Sequence, residues 1–148
     1  MTKEELIKEI MKKKEFSQLP KKDVEIAFSH FEKRETIDEE KVKLTRNLLR
    51  EVFSAFTSRK LLKPNDKEPE WILRKHLSTR ERFPYYKEIY KRILNGIGKK
   101  TSIIDLGAGV NGFSYSFFNK CGFEVDYFGV ESIGQLVELT NNYFKRVK

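Results

Sequence analysis

One cysteine, one tryptophan, two histidines and four prolines are all that 148 residues hold of the types that most often staple, ligate or interrupt a chain. The lone Cys121 excludes an internal disulfide framework. With no second Cys and no His at ligand spacing, no metal site is expected. Long apolar runs are missing as well: none approaches the roughly 20 residues of a membrane helix. The opening Met-Thr-Lys-Glu-Glu-Leu is charged at once and carries no apolar signal segment. These absences point to a reducing compartment, the cytoplasm by default, and to no membrane partner. Low-complexity tracts and internal repeats are also lacking. What the chain does hold is 39% hydrophobic residues with 12 Phe, enough to exclude a disordered polymer.

The net charge of +8 is concentrated in one stretch. Residues 1–40 carry 9 basic and 11 acidic side chains, residues 41–100 carry 17 and 6, and residues 101–148 carry 4 and 5. A central block of net +11 between near-neutral flanks suits a polyanion, because phosphate contacts release counterions. Lys43, Arg46, Arg50, Arg59, Lys60 and Arg80 are the candidate phosphate contacts to a nucleic acid in that block.

Apolar spacing organises the first half. Leu6, Ile7, Ile10 and Met11 form a helical stripe within residues 3–15. Pro20 stands where a second helix can begin, with Val24, Ala27, Phe28 and Phe31 on one face. Asp38 reads as the N-cap of a third helix whose stripe is Val42, Thr45, Leu49, Val52, Phe53 and Phe56. Residues 63–69 read as a loop, and Pro69 opens a short segment around Trp71. Ser78 and Glu81 have capping-box spacing, so a helix is expected to start there, and Pro84 restarts or kinks it. Tyr86, Ile89, Tyr90, Ile93 and Leu94 then mark an apolar face. The spacing of Tyr85, Tyr86 and Tyr90 favours core packing over base stacking.

Residues 102–112, Ser-Ile-Ile-Asp-Leu-Gly-Ala-Gly-Val-Asn-Gly, run from a short apolar strand into a glycine turn. The strand has the look of a buried parallel one. Gly107, Ala108 and Gly109 form a turn at the strand's carboxyl end, the place where open α/β sheets hold nucleotide-like cofactors. Asp105 precedes it in an Asp-x-Gly-x-Gly pattern. A second strand, about residues 125–130, ends in Glu131, whose carboxylate can accept from both hydroxyls of a ribose. Acid, glycine turn, helix, strand and acid in this order point to S-adenosylmethionine (SAM). A nicotinamide dinucleotide site and a turn whose glycines serve only packing are the alternatives.

Three stretches carry a family resemblance. Ile-Met-Lys-Lys-Lys-Glu-Phe-Ser-Gln-Leu (residues 10–19) with Asp23-Val24, the segment His76-Leu77-Ser78-Thr79-Arg80-Glu81-Arg82, and residues 102–111 together resemble the aminoglycoside-resistance 16S rRNA methyltransferases that modify guanine N7. The middle segment is the most specific of the three. That family often has Asn-Pro where this chain has Asn111-Gly112, and its chains continue past the equivalent of residue 148.

The resemblance implies a fold and roles. The expected fold is α/β: an N-terminal helical bundle followed by the first part of a Rossmann-like SAM-dependent methyltransferase domain with a truncated sheet. Residues 1–75 would be the helical RNA-binding module, 76–98 a linker helix, and 99–148 the start of the SAM-binding domain. Only 36 residues follow Gly112. A fragment or half of a split enzyme is therefore expected, pairing with a complementing chain or a second copy; the alternative is a non-catalytic RNA-binding protein that keeps the module and a vestigial turn. Asp105 would sit beside the amino end of SAM, Glu131 at the ribose, and Arg82 at the methionine carboxylate, with His76 nearby. Ribosomal RNA of the small subunit would be the partner.

Overall fold

A computed structural model describes residues 1–57 and 68–147. The loop expected over residues 63–69 lies largely outside them, as do Arg59 and Lys60. The described chain falls into two compact units. One runs from Met1 through the third helix and takes in Ser132–Gln135; the other holds the remainder.

In the first unit, α1 (Lys3–Met11), α2 (Lys21–Glu32) and α3 (Asp38–Thr57) bury Leu6, Ile7, Ile10, Val24, Phe28, Val42 and Leu49 against one another. Helices α1 and α2 are too short to be stable alone, and all three hold together through their apolar faces. Helix α1 starts on a capping box that the sequence reading overlooked: Thr2 Oγ1 accepts from Glu5 N at 3.3 Å, and Glu5 Oε2 from Thr2 N at 2.8 Å. It ends at Met11, four residues short of the expected limit. The chain turns there so that Phe16 and Leu19, fully out of water, join the core.

Two further expectations fail in this unit. Asp38 is not an N-cap: α3 already includes it, and the carbonyl of Ile37 takes the first helical bonds. The Asp38 carboxylate instead accepts from the N-terminal ammonium at 2.7 Å. Val52, placed on the buried stripe, is 57% exposed.

The second unit begins with α4 (Pro69–Leu73), with proline in the first turn where its missing N–H costs nothing. Next come α5 (Leu77–Arg82), a 3-10 turn at Phe83–Tyr85, and α6 (Tyr86–Ile93). Ser78 is not the cap of α5. His76 holds that position, and the buried Thr79 hydroxyl bonds to the Leu73 carbonyl at 2.6 Å. Pro84 restarts the helix as expected. Ile93 is exposed, whereas Tyr86, Tyr90 and Leu94 are buried.

Strand β1 (Lys100–Leu106), a 3-10 turn at Asn111–Ser114, α7 (Ser116–Lys120), β2 (Glu124–Val130) and α8 (Gly134–Val147) complete the chain's described elements. The strands pair in parallel, with Asp105 opposite Gly129 and Leu106 opposite Val130. This is the truncated sheet of the expected fold. Tyr86 stacks on Phe117 and Tyr90 on Phe118, which fixes α6 against α7. The strands are not buried on both faces. Ile104, Leu106, Phe128 and Val130 point the other way and are each more than half exposed.

Candidate functional site

The glycine turn follows β1 directly, and two of its residues need glycine. Gly107 and Gly109 have φ of 70° and 51°, the left-handed region where a side chain is strained. Gly112 is needed for a different reason. A Cβ there would lie 2.7 Å from Thr140 Cγ2 and 3.5 Å from the rings of Tyr127 and Phe144. A proline at position 112 would bring its own Cβ into the same contact.

The turn is tied to the end of β2 by three successive amides. Gly107 N and Ala108 N both donate to the Val130 carbonyl, at 2.9 and 3.0 Å. Gly109 N donates to Glu131 Oε2 at 2.8 Å. A dinucleotide-binding turn aims such amides at a pyrophosphate. Here all three are satisfied within the chain, which argues against the nicotinamide alternative. It also brings Glu131 onto the turn, so that Asp105 and Glu131 flank it from adjoining strands.

Asp105 is the centre of a polar network. Its Oδ2 accepts from the Tyr127 hydroxyl at 2.5 Å and from Asn111 Nδ2 at 2.8 Å. Asn111 Oδ1 in turn accepts from the Tyr86 hydroxyl at 2.9 Å. Ser114 bonds the Asn111 carbonyl at 2.6 Å and also the Tyr90 hydroxyl. Burial pushes the hydroxyls of Tyr86 and Tyr127 well above the ordinary tyrosine range and raises that of Tyr90, so each stays protonated.

Arg82 ends α5, and His76 stands at that helix's N-cap. Arg82 is exposed and its Nε donates to the Ser78 carbonyl at 3.0 Å. Its charge opposes the upward shift at Tyr86 and Tyr90, so the guanidinium is electrostatically coupled to the tyrosines that hold Asn111 and Ser114. Burial first, then Arg82, holds the His76 pKa below the usual histidine range.

The candidate RNA contacts differ among themselves. Lys43 and Arg80 are exposed, Lys43 with Glu40 at 3.4 Å. Arg46 is turned inward, donating to the carbonyls of Glu9 and Ile10 at the end of α1. Arg50 grips Glu15 Oε1 through Nε and Nη2 at 3.0 and 2.7 Å and lies over the Phe16 ring. Among the described residues no group of three or more His, Cys, Asp or Glu gathers as a metal site, and no helix is long and apolar enough to cross a membrane.

Sequence reading missed Asn111, Tyr127 and Ser114 as members of the site. The inward positions of β2, where Tyr127 alternates with Val125, were the available signal for Tyr127.

These features define a Rossmann-like strand–turn–helix–strand unit, and the structural comparison agrees on the fold. The fold matches the solved structure of the 16S rRNA methylase RmtB with a TM-score of 0.71 and 17% identity, over 99% of this chain and 61% of that one. The chain is also similar to a 16S rRNA (guanine(1405)-N(7))-methyltransferase of Proteus mirabilis, 39% identical over 67 residues. That stretch is 45% of this chain and 24% of the relative, so the match spans about a quarter of the relative's length. No protein-family model matches the chain.

Proposed function

We propose that this chain forms part of a SAM-dependent methyltransferase that modifies guanine N7 in small-subunit ribosomal RNA, in the cytoplasm. The observation that carries the reading is the pair of carboxylates, Asp105 and Glu131, held on either side of a glycine turn whose amides are already bonded internally. A turn with no amide left for phosphate, bracketed by one acid for an ammonium and one for a diol, suits an adenosyl amino acid. The similarity to the Proteus mirabilis enzyme supports the same class.

Asp105 would hold the amino group, Glu131 the ribose hydroxyls, and Gly107, Ala108 and Gly109 would let the adenosyl portion lie close to the backbone. Arg82 would pair with the carboxylate, where a guanidinium can bond through two nitrogens, with His76 beside it. SAM supplies, when bound, a methyl group activated by a cationic sulfur. Guanine N7 has an in-plane lone pair and needs no prior deprotonation, so the chain's task is position and orientation. The base is reached by turning it out of its stack. No acid–base pair is then required of the protein. Exposed Lys43 and Arg80, with Arg59 and Lys60, would contact RNA phosphates.

Isothermal titration of S-adenosylhomocysteine into the chain tests the cofactor assignment, with Gly107→Arg as control. Binding in the parent chain that disappears in the variant is the expected result. A folded parent chain that takes up no ligand would overturn the assignment.

A further inference from the structure

We infer that Tyr127 is a positioning residue for the cofactor's amino group, acting through Asp105; this rests on the cofactor reading above. Tyr127 is 7% exposed and lies on β2, outside the glycine turn and its motif. Its hydroxyl reaches Asp105 Oδ2 at 2.5 Å, across 22 positions of sequence. Asn111 Nδ2 donates to the same oxygen at 2.8 Å.

The chemistry of the donors fixes every orientation in this set. A carboxylate only accepts, so Asn111 must present its NH2 to Asp105. Its carbonyl oxygen then faces Tyr86, whose hydroxyl donates to it. Both donors to Asp105 fall on Oδ2, and no described residue hydrogen-bonds Oδ1. These two bonds hold the carboxylate by Oδ2 and leave Oδ1 for an incoming cation. The Tyr127 hydroxyl is a donor at any working pH, since burial and the neighbouring Asp105 both raise its pKa far above neutrality. Tyr127 touches the carboxylate and not the ligand, so its influence is on amino-group recognition alone.

The test uses two ligands that share the adenosyl end and differ in the amino acid end. S-adenosylhomocysteine has it, and 5′-methylthioadenosine lacks it. Each is titrated into the 148-residue chain and into Tyr127→Phe. The variant is expected to bind S-adenosylhomocysteine about tenfold more weakly, the size of a lost hydrogen bond to a charged group, with 5′-methylthioadenosine unchanged. In an Asp105→Asn background, Tyr127→Phe should add nothing further, because the two act as one unit. Equal weakening of both ligands, or of neither, overturns the inference while leaving the cofactor reading intact. A parent chain that binds neither ligand removes the cofactor reading and the inference with it. Should Tyr127→Phe lose its thermal transition, Asn111→Ala removes the other donor and is read in the same way.

Discussion

In the first unit three long cations of α3 reach across to neighbouring segments of the same unit, whereas in the second a network of polar side chains is anchored on one carboxylate. Lys41 Nζ donates to the Glu32 carbonyl at the end of α2, Arg46 to the last carbonyls of α1, and Arg50 to Glu15. Cations at helix C-termini are favourable for the fold itself. In the second unit Tyr127, Asn111, Tyr86 and Ser114 form a network that meets at Asp105. The contrast teaches that a basic stretch overstates the charge available to a partner until its internal partners are subtracted. It also shows apolar surface treated differently: apart from Val52 the first unit turns the described part of its stripe inward, and the second leaves one sheet face open.

The sharpest way to break this comparison uses one chemical change at two leucines. Leu49→Ala, at a site 1% exposed, should cost about 3 kcal/mol of stability. Leu106→Ala, at a site 77% exposed, should stay within about 0.5 kcal/mol. Denaturant titration reads both, and equal losses would show that the open face is covered in solution. A smaller effect is expected at Gly112→Ala, whose new methyl would press on Thr140; overpacking of this kind costs about 1–3 kcal/mol. Gly98→Ala, with its nearest neighbour at 3.8 Å, is the matched control and should be near neutral.

Arg46→Ala should lower stability by about 1 kcal/mol through the loss of its carbonyl contacts at the end of α1. Lys43→Ala and Arg80→Ala should leave the melting temperature unchanged while weakening RNA binding. A variant series in which Arg46 alone governed RNA affinity at constant stability would contradict the division drawn above.

The smallest effect concerns His76. Its pKa in the fold lies below the model-peptide value of 6.5, so the unfolded chain takes up the proton first as the pH falls. The contribution is complete above the unfolded pKa and is lost as acid is added through the folded one. His76→Asn should therefore flatten the decline in melting temperature between about pH 7.5 and about pH 5.5, a range above most carboxylate titration.

Element types were readable because apolar spacing is local. Helix ends were less so. Helix α1 stops early because Phe16 and Leu19 gain burial by turning inward, a tertiary effect that no local pattern carries. Asp38 lies inside α3, one residue past the cap, and bonds a terminal ammonium 37 positions away. The site divides on the same principle. Asp105, the turn and Glu131 could be found because each sits next to a strand end, and their mutual geometry followed from parallel pairing. Tyr127, 22 positions from Asp105, and Tyr86, 25 from Asn111, had only the look of core residues. The exposure of Ile104 and Phe128 was equally hidden, since an apolar strand looks the same whether one face or two are covered.

The three amides that tie the turn to Val130 and Glu131 have a thermodynamic consequence. A loop already tethered has little conformational entropy left to surrender when a ligand arrives. Uptake at this turn should then proceed with a small ordering penalty, and the amide protons of residues 107–109 should exchange slowly with solvent before any ligand is added.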